Sequence, residues 1–200
     1  CNLNLGVEGL MMMCAATGFI AAYHTENIAL AILAGMLGSG FGALLYAILT
    51  ITFRTKQDVT GLALTIFGTG FANTIGKSLA NQNTPPAIRE FAQATPLHVS
   101  IDSVSALPVV GPVLAFVDTA FLQHNWFVYL SFALAVIGWI YLFRTREGLH
   151  LRMIGENPAA ADASGIRVIA AKYVHVVLGG ILCGLGGVYI SVVNVGTYLE

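Results

Sequence analysis

Long apolar stretches separated by short polar segments run along the whole chain. A helix needs about 20 apolar residues to cross the roughly 30 Å hydrocarbon layer of a membrane. Five stretches approach or exceed that length, and we predict spans at about residues 5–23, 28–53, 59–76, 126–143 and 173–195. The first and third are rich in glycine and polar residues, so we expect other helices to cover them. The pattern predicts an all-α integral membrane protein built as a multi-span helical bundle.

The segment between the third and fourth predicted spans, residues 81–125, differs in character from the rest of the chain. It holds five of the six prolines. Within it, residues 109–122 are apolar but too short for a crossing, and Pro112 and Asp118 interrupt them. We therefore expect broken or re-entrant helices in addition to the full spans.

Composition supports the membrane assignment and restricts the kinds of partner. Apolar residues make up 56% of the chain and charged residues 10%, which is too few charges to cover a water-soluble fold of this size. The net charge of −1 and the lack of a basic run argue against nucleic acid binding. Seven of the nine Lys and Arg residues lie after the second and fourth spans, so we place those two segments in the cytoplasm and residues 81–125 outside.

Glycine, cysteine and histidine patterns predict packing and no catalysis. Gly38 with Gly42, and Gly180 with Gly184, form the small-residue pairs that allow transmembrane helices to approach closely. The three cysteines and five histidines are too scattered to form a metal site or a catalytic constellation. We expect no catalytic residue, no metal and no cofactor on this chain.

The polar segment 144–167 contains a short predicted helix. Asn157 is a favourable N-cap, Pro158 suits the first helical position, and Gly165 is a favourable stop. A helix of about two turns is not stable alone, so it docks on the membrane surface or on another subunit. Its alanines offer little apolar area to lipid, which favours a protein partner.

Three motifs resemble one transporter family. Residues 145–152 (TREGLHLR) with 155–166 (GENPAAADASGI) closely resemble the cytoplasmic loop of ATP-binding cassette (ABC) importer permeases of the ribose, simple-sugar, nucleoside and branched-chain amino-acid group. Residues 4–11 (NLGVEGLM) and 59–64 (VTGLAL) are similar to two further stretches of that family. The resemblance is strongest to the nucleoside or simple-sugar branch, which works with surface lipoprotein receptors. Family members are longer, so we expect residues 1–200 to be an internal part of one permease domain.

The resemblance implies a role for the short helix and a set of partners. The helix would be a coupling helix that lies in a groove of a separate ATPase subunit, where ATP and Mg²⁺ bind. An extracytoplasmic solute-binding lipoprotein and a second permease chain, identical or homologous, would complete a multi-pass importer in the lipid bilayer of a bacterial plasma (inner) membrane. The implied coupling residues are Arg146, Arg152, Glu156, Asn157, Pro158, Ala161, Asp162 and Gly165, although the four charged ones are equally compatible with solvated loop positions. An ATP-independent channel or facilitator is the alternative function.

Four polar residues, three inside the predicted spans and Asn4 just before the first, are candidates for the path of a small polar solute. Asn4 and Glu8 either contact that solute or satisfy freed backbone N–H groups at a helix break within residues 4–9. Thr69 and Asn73 either line a path for a hydroxyl-rich solute or hydrogen-bond to neighbouring helices.

Overall fold

The computed structural model describes residues 5–77 and 124–195, together with residues 85, 86, 88 and 90. All regular structure in these ranges is helical, which confirms the all-α prediction. The helices are α1 (Val7–Thr25), α2 (Ile28–Ala47), α3 (Gln57–Gly76), α4 (Trp126–Arg144), α5 (Arg146–Glu156), α6 (Pro158–Ala163) and α7 (Val168–Val188). Two of them continue as π-helical segments, α2 through Ile48–Thr52 and α7 through Tyr189–Val195.

Four helices in the described part are long and apolar enough to cross a membrane. They are Ile28–Thr52, Gln57–Gly76, Trp126–Arg144 and Val168–Val192, each at a position where a span was predicted. The chain is therefore an all-α membrane protein. α1 occupies the first predicted span but is not among these four, so the count of five spans remains a prediction. Asn4 and the predicted re-entrant element at 109–122 lie outside the described residues.

α1 is the central helix of the bundle, with α2, α3 and α7 packed around it. Its core side chains include Leu10, Met13, Cys14 and Phe19, which have almost no solvent exposure. The expectation that other helices cover the first span holds for α1. In contrast, α3 buries only the face turned towards α1 and leaves large apolar side chains exposed, such as Ile66.

The direction of each helix follows from which residues meet. Gly6 packs on Gly61, and Gly9 packs on Gly68, so α1 and α3 run in the same direction. α2 runs opposite to α1, because its early Gly35 meets Cys14 and its later Gly42 meets Leu10. α7 is parallel to α1, since Gly180 lies beside Leu10 and Val188 beside Gly18. These directions are compatible with alternate crossing of a membrane by successive spans.

Small residues allow α2 and α7 to approach closely, as predicted. Gly180 contacts Ala43, and a Cβ atom at Gly184 would lie 2.6 Å from the Ser39 Cβ. Both positions are buried in the interface. The packing role predicted for the pair Gly180 and Gly184 is confirmed.

The helix break predicted at residues 4–9 stays a prediction, because Asn4 lies outside the described residues and Leu5 and Gly6 form a turn ahead of α1. α1 begins at Val7 and continues without interruption, so Glu8 and Gly9 belong to its first turn. Gly9 allows close packing of α1 on α3, because a Cβ atom at this position would lie 2.5 Å from the carbonyl oxygen of Leu64. The absence of a side chain at Gly9 therefore allows the backbones of α1 and α3 to touch.

Candidate functional site

Two helices, α5 and α6, occupy the predicted polar segment 144–167, which we call the helical loop. Sequence reasoning identified only the second of them. The start of α5 has a recognisable cap, because the Thr145 hydroxyl accepts a hydrogen bond from the Gly148 N–H at 3.2 Å. The same hydroxyl donates to the Tyr141 carbonyl at 2.5 Å. Thr145 thus links the end of α4 to the start of α5.

Gly148 brings α5 directly against the end of α4. A Cβ atom at this position would lie 2.5 Å from the carbonyl oxygen of Leu142, and it would also contact the carbonyl oxygen of Tyr141. Gly148 is buried, so no larger residue fits without moving backbone. This contact fixes the angle between α4 and α5.

The short helix predicted from Asn157 to Gly165 is present as α6. The Asn157 Oδ1 atom accepts hydrogen bonds from the N–H groups of Ala159 and Ala160, both at 3.1 Å. Pro158 is the first helical residue, where its missing N–H costs nothing. Gly165 has a φ of +82°, a left-handed conformation that ends the helix. The two caps make α6 a preformed element in spite of its length.

α6 is anchored at one point and otherwise open. Ala161 is fully buried, while the other residues of the helix, including Pro158 and Asp162, are exposed. The exposed residues are small, so the helix is narrow and presents mainly backbone, alanine methyl groups and one carboxylate. Such a surface buries little area in lipid but fits a shaped protein groove.

The charged residues of the helical loop are all exposed. Arg152 is partly engaged within the chain, since its guanidinium lies 5.2 Å from the centre of the Phe143 ring. Arg146, Glu156 and Asp162 are in none of the ion pairs among the described residues. These three charges are therefore open to an external partner or to solvent.

Hydrogen bonds between side chains connect the two helices that flank the helical loop to each other and to the bundle. The Nδ1–H of His175 donates to the Ala171 carbonyl at 2.7 Å, so its Nε2 accepts from the Tyr141 hydroxyl at 2.9 Å. Nearby, the Tyr173 and Thr52 hydroxyls are 2.5 Å apart. The start of α7 is thereby linked both to α4 and to the π-helical end of α2. Sequence reasoning missed these links, because each joins residues distant in the chain.

The candidate path residues are brought together only in part. Thr69 and Asn73 lie one turn apart on α3, with Thr69 half-buried and Asn73 exposed. The Thr69 hydroxyl donates to the Thr65 carbonyl at 2.9 Å, which satisfies it within its own helix. Glu8 is exposed in the first turn of α1. Within the described residues, no hydrogen bond joins it to α3.

Comparison with known proteins identifies a family over almost the whole chain. The family model described as "Branched-chain amino acid transport system / permease component" matches residues 2–198. No solved structure matches the chain.

Three curated relatives are similar to the chain over most of its length. The guanosine ABC transporter permease protein of Bacillus subtilis is 34% identical over 96% of the chain and 59% of the relative. A putative glucose ABC transporter permease protein of Haloferax volcanii is 31% identical over 94% of the chain and 54% of the relative. The nucleoside ABC transporter permease protein of Lactococcus lactis is 30% identical, covering 92% and 57%. The chain thus spans just over half the length of these relatives.

Proposed function

The chain belongs to the family of branched-chain amino acid transport system permease components, and from this premise we propose that the whole protein is the membrane-spanning permease subunit of an ABC importer. It carries a small polar solute inward, and a separate ATPase subunit supplies the energy. The relatives are named for guanosine, nucleosides and glucose, which favours a nucleoside or a simple sugar as the solute.

The observation that carries this proposal is α6, a capped helix with one buried residue and an open surface. A channel or facilitator without an ATPase has no use for such an element. In the importer, α6 is the coupling helix and lies in a groove of the ATPase subunit. Asn157, Pro158 and Gly165 shape it, Ala161 anchors it, and the exposed charges of Arg146, Arg152, Glu156 and Asp162 contact the partner.

The proposal includes the remaining partners and their chemistry. ATP and Mg²⁺ bind to the ATPase subunit, and this chain holds neither. An extracytoplasmic solute-binding lipoprotein delivers the solute, and a second permease chain completes the pathway in a bacterial plasma membrane. The similarity to permeases named as parts of ABC transporters supports this assembly.

Coupling follows from the rigid connections of the helical loop. α5 is held on α4 by Gly148 and Thr145, and α4 is held on α7 by the hydrogen bond between Tyr141 and His175. Movement of α6 with the ATPase subunits therefore tilts α4 and reaches the start of α7 through this hydrogen bond. Such a rigid-body shift converts an outward-open state into an inward-open one.

Replacement of Ala159 by Arg tests the docking of α6. We expect the variant to lose the ATPase subunit during purification in mild detergent, because an exposed methyl group becomes a long cation inside the proposed interface. Ala29→Arg is the matched control. Both alanines are exposed, and both lie at the second position of a helix whose Asn cap accepts their N–H. The measurement is the ATPase-to-permease ratio in the eluate.

A positive charge near a helix N-terminus is unfavourable, and both variants introduce one. A difference between them therefore reports on docking and not on this charge effect. The proposal requires that Ala29→Arg retains the ATPase. Retention of a normal ATPase ratio by Ala159→Arg, with the protein folded, would contradict docking through α6. Failure of the unmodified full-length protein to bring down any ATPase would favour a facilitator.

The candidate path on α3 is tested by Asn73→Ala. We propose that Thr69 and Asn73 of α3, Glu8 of α1 and Asn4 line the path of the solute. Loss of the Asn73 amide then raises the KM for transport about tenfold, which corresponds to one lost hydrogen bond of about 1.4 kcal/mol. Thr74→Ala is the control, because that exposed hydroxyl donates to Gly70 within its own helix. Unchanged KM in the Asn73 variant would leave only a structural role.

A further inference from the structure

A cavity of about 350 Å³ lies between the helical loop and the bundle. α1, α2, α5 and α7 all contribute to its walls, so both the loop and the spanning helices line it. Leu151 and Ile154 of α5 cover it on the loop side. Its size falls within the range of pockets that bind small ligands.

The walls change from polar to apolar along α7. Lys172 and His175 line the cavity close to the start of the helix, and Val176, Gly179 and Cys183 line it further along. The helix rises 1.5 Å per residue, so the lining from Lys172 to Cys183 extends over roughly 16 Å. Lys172 is the one charged residue among those that line the cavity. A ligand that fits this gradient has an anionic end and a long apolar part.

The cavity also lies at the depth where such molecules are found. α7 starts at Val168 and spans the membrane, so Lys172 is within its first two turns, near the end of the hydrocarbon region. An apolar wall that continues towards the middle of the helix lies at the depth of the lipid tails. A basic side chain in a pocket between spanning helices is a recognised feature of sites for anionic lipid headgroups.

We propose that this cavity binds an anionic phospholipid from the membrane leaflet nearest to the start of α7. One acyl chain lies beside Gly179, and the phosphate lies at Lys172. Both ring nitrogens of His175 already have protein partners, Ala171 and Tyr141, so the phosphate is assigned to Lys172. The acyl chain contacts α5 and α7 together, so the lipid steadies the helical loop against the bundle. This inference goes beyond transport and does not depend on the identity of the solute or of any partner protein.

The experiment places the full-length protein in nanodiscs that contain phosphatidylglycerol and phosphatidylcholine, and counts the lipids it retains by native mass spectrometry. Gly179→Leu fills the cavity, and nothing lies within 4 Å of a Cβ atom at that glycine. Gly138→Leu is the matched control, because it also has open space in a spanning helix but does not line the cavity. Lys172→Gln removes the charge and keeps a polar side chain that is one bond shorter.

We expect the unmodified protein and Gly138→Leu to retain phosphatidylglycerol in preference to phosphatidylcholine. Gly179→Leu loses the retained lipid, and Lys172→Gln lowers the preference for phosphatidylglycerol about fivefold. Equal retention of phosphatidylglycerol by Gly179→Leu and Gly138→Leu would overturn the site. An unchanged lipid preference in Lys172→Gln would overturn the assignment of the headgroup. Helical content and the melting temperature of each variant establish that it is folded.

Discussion

Replacing Gly68 with Ala destabilises the bundle by about 1–3 kcal/mol, whereas the same change at Gly70 leaves its stability unchanged or slightly raised. The two glycines are two residues apart on α3. A Cβ atom at Gly68 would lie 2.6 Å from the Cα of Gly9, but one at Gly70 meets nothing within 4 Å. The obstacle at Gly68 is the backbone of α1, which no rotamer change can move away. The two helices must separate and lose packing along their interface.

The measurement is thermal unfolding of both variants in the same detergent, followed by circular dichroism. Alanine favours a helix over glycine by up to about 1 kcal/mol, and both variants receive this gain. The difference between them therefore isolates the contact with Gly9. Equal melting temperatures for the two variants would show that α1 and α3 do not touch through their backbones.

In the proposed importer, we expect the replacement of Gly148 by Ala to lower solute uptake about tenfold, while the permease remains in its complex with the ATPase. The new methyl group would lie 2.5 Å from the Leu142 carbonyl oxygen, so α5 must rotate away from α4 and displace α6. A distortion of about 1.4 kcal/mol is enough for a tenfold effect and lies within the usual range for overpacking. We expect ATP hydrolysis to continue, because the proposal places the catalytic site on the ATPase subunits.

Gly155→Ala is the control in the same helix, since its Cβ meets nothing within 4 Å. The experiment measures uptake and ATP hydrolysis together in proteoliposomes, and reports the number of solute molecules moved per ATP. Gly148→Ala lowers this ratio and Gly155→Ala does not. A normal ratio in Gly148→Ala would mean that the angle between α4 and α5 has no role in coupling.

The caps of α6 could be predicted from the sequence because they are local. Asn157, Pro158 and Gly165 each act on residues within one turn, so their identity and spacing contain the necessary information. α5 was missed although Thr145 caps it in the same way. Its sequence mixes charged and apolar residues, and its contact with α4 through Gly148 cannot be read from the sequence.

The contacts between distant elements could not be predicted. Tyr141 and His175 are 34 positions apart in the chain. Their hydrogen bond depends on how α4 and α7 are aligned relative to each other. Gly9 presented a different ambiguity, because glycine suits both a flexible backbone and a close helix contact. Only the position of Leu64 on the neighbouring helix decides between these two uses. Packing of the whole bundle, not local propensity, fixes both features.

The central position of α1 also bears on what solvates each helix. α1 contacts α2, α3 and α7, and its core side chains have almost no exposure. The backbones of α1 and α3 meet at Gly9 and Gly68 with no side chain between them, so no acyl chain fits there. α4 has no buried residue among those described. Within the described part of the chain, protein is thus the main solvent of α1, whereas α4 offers nearly its whole surface to its surroundings.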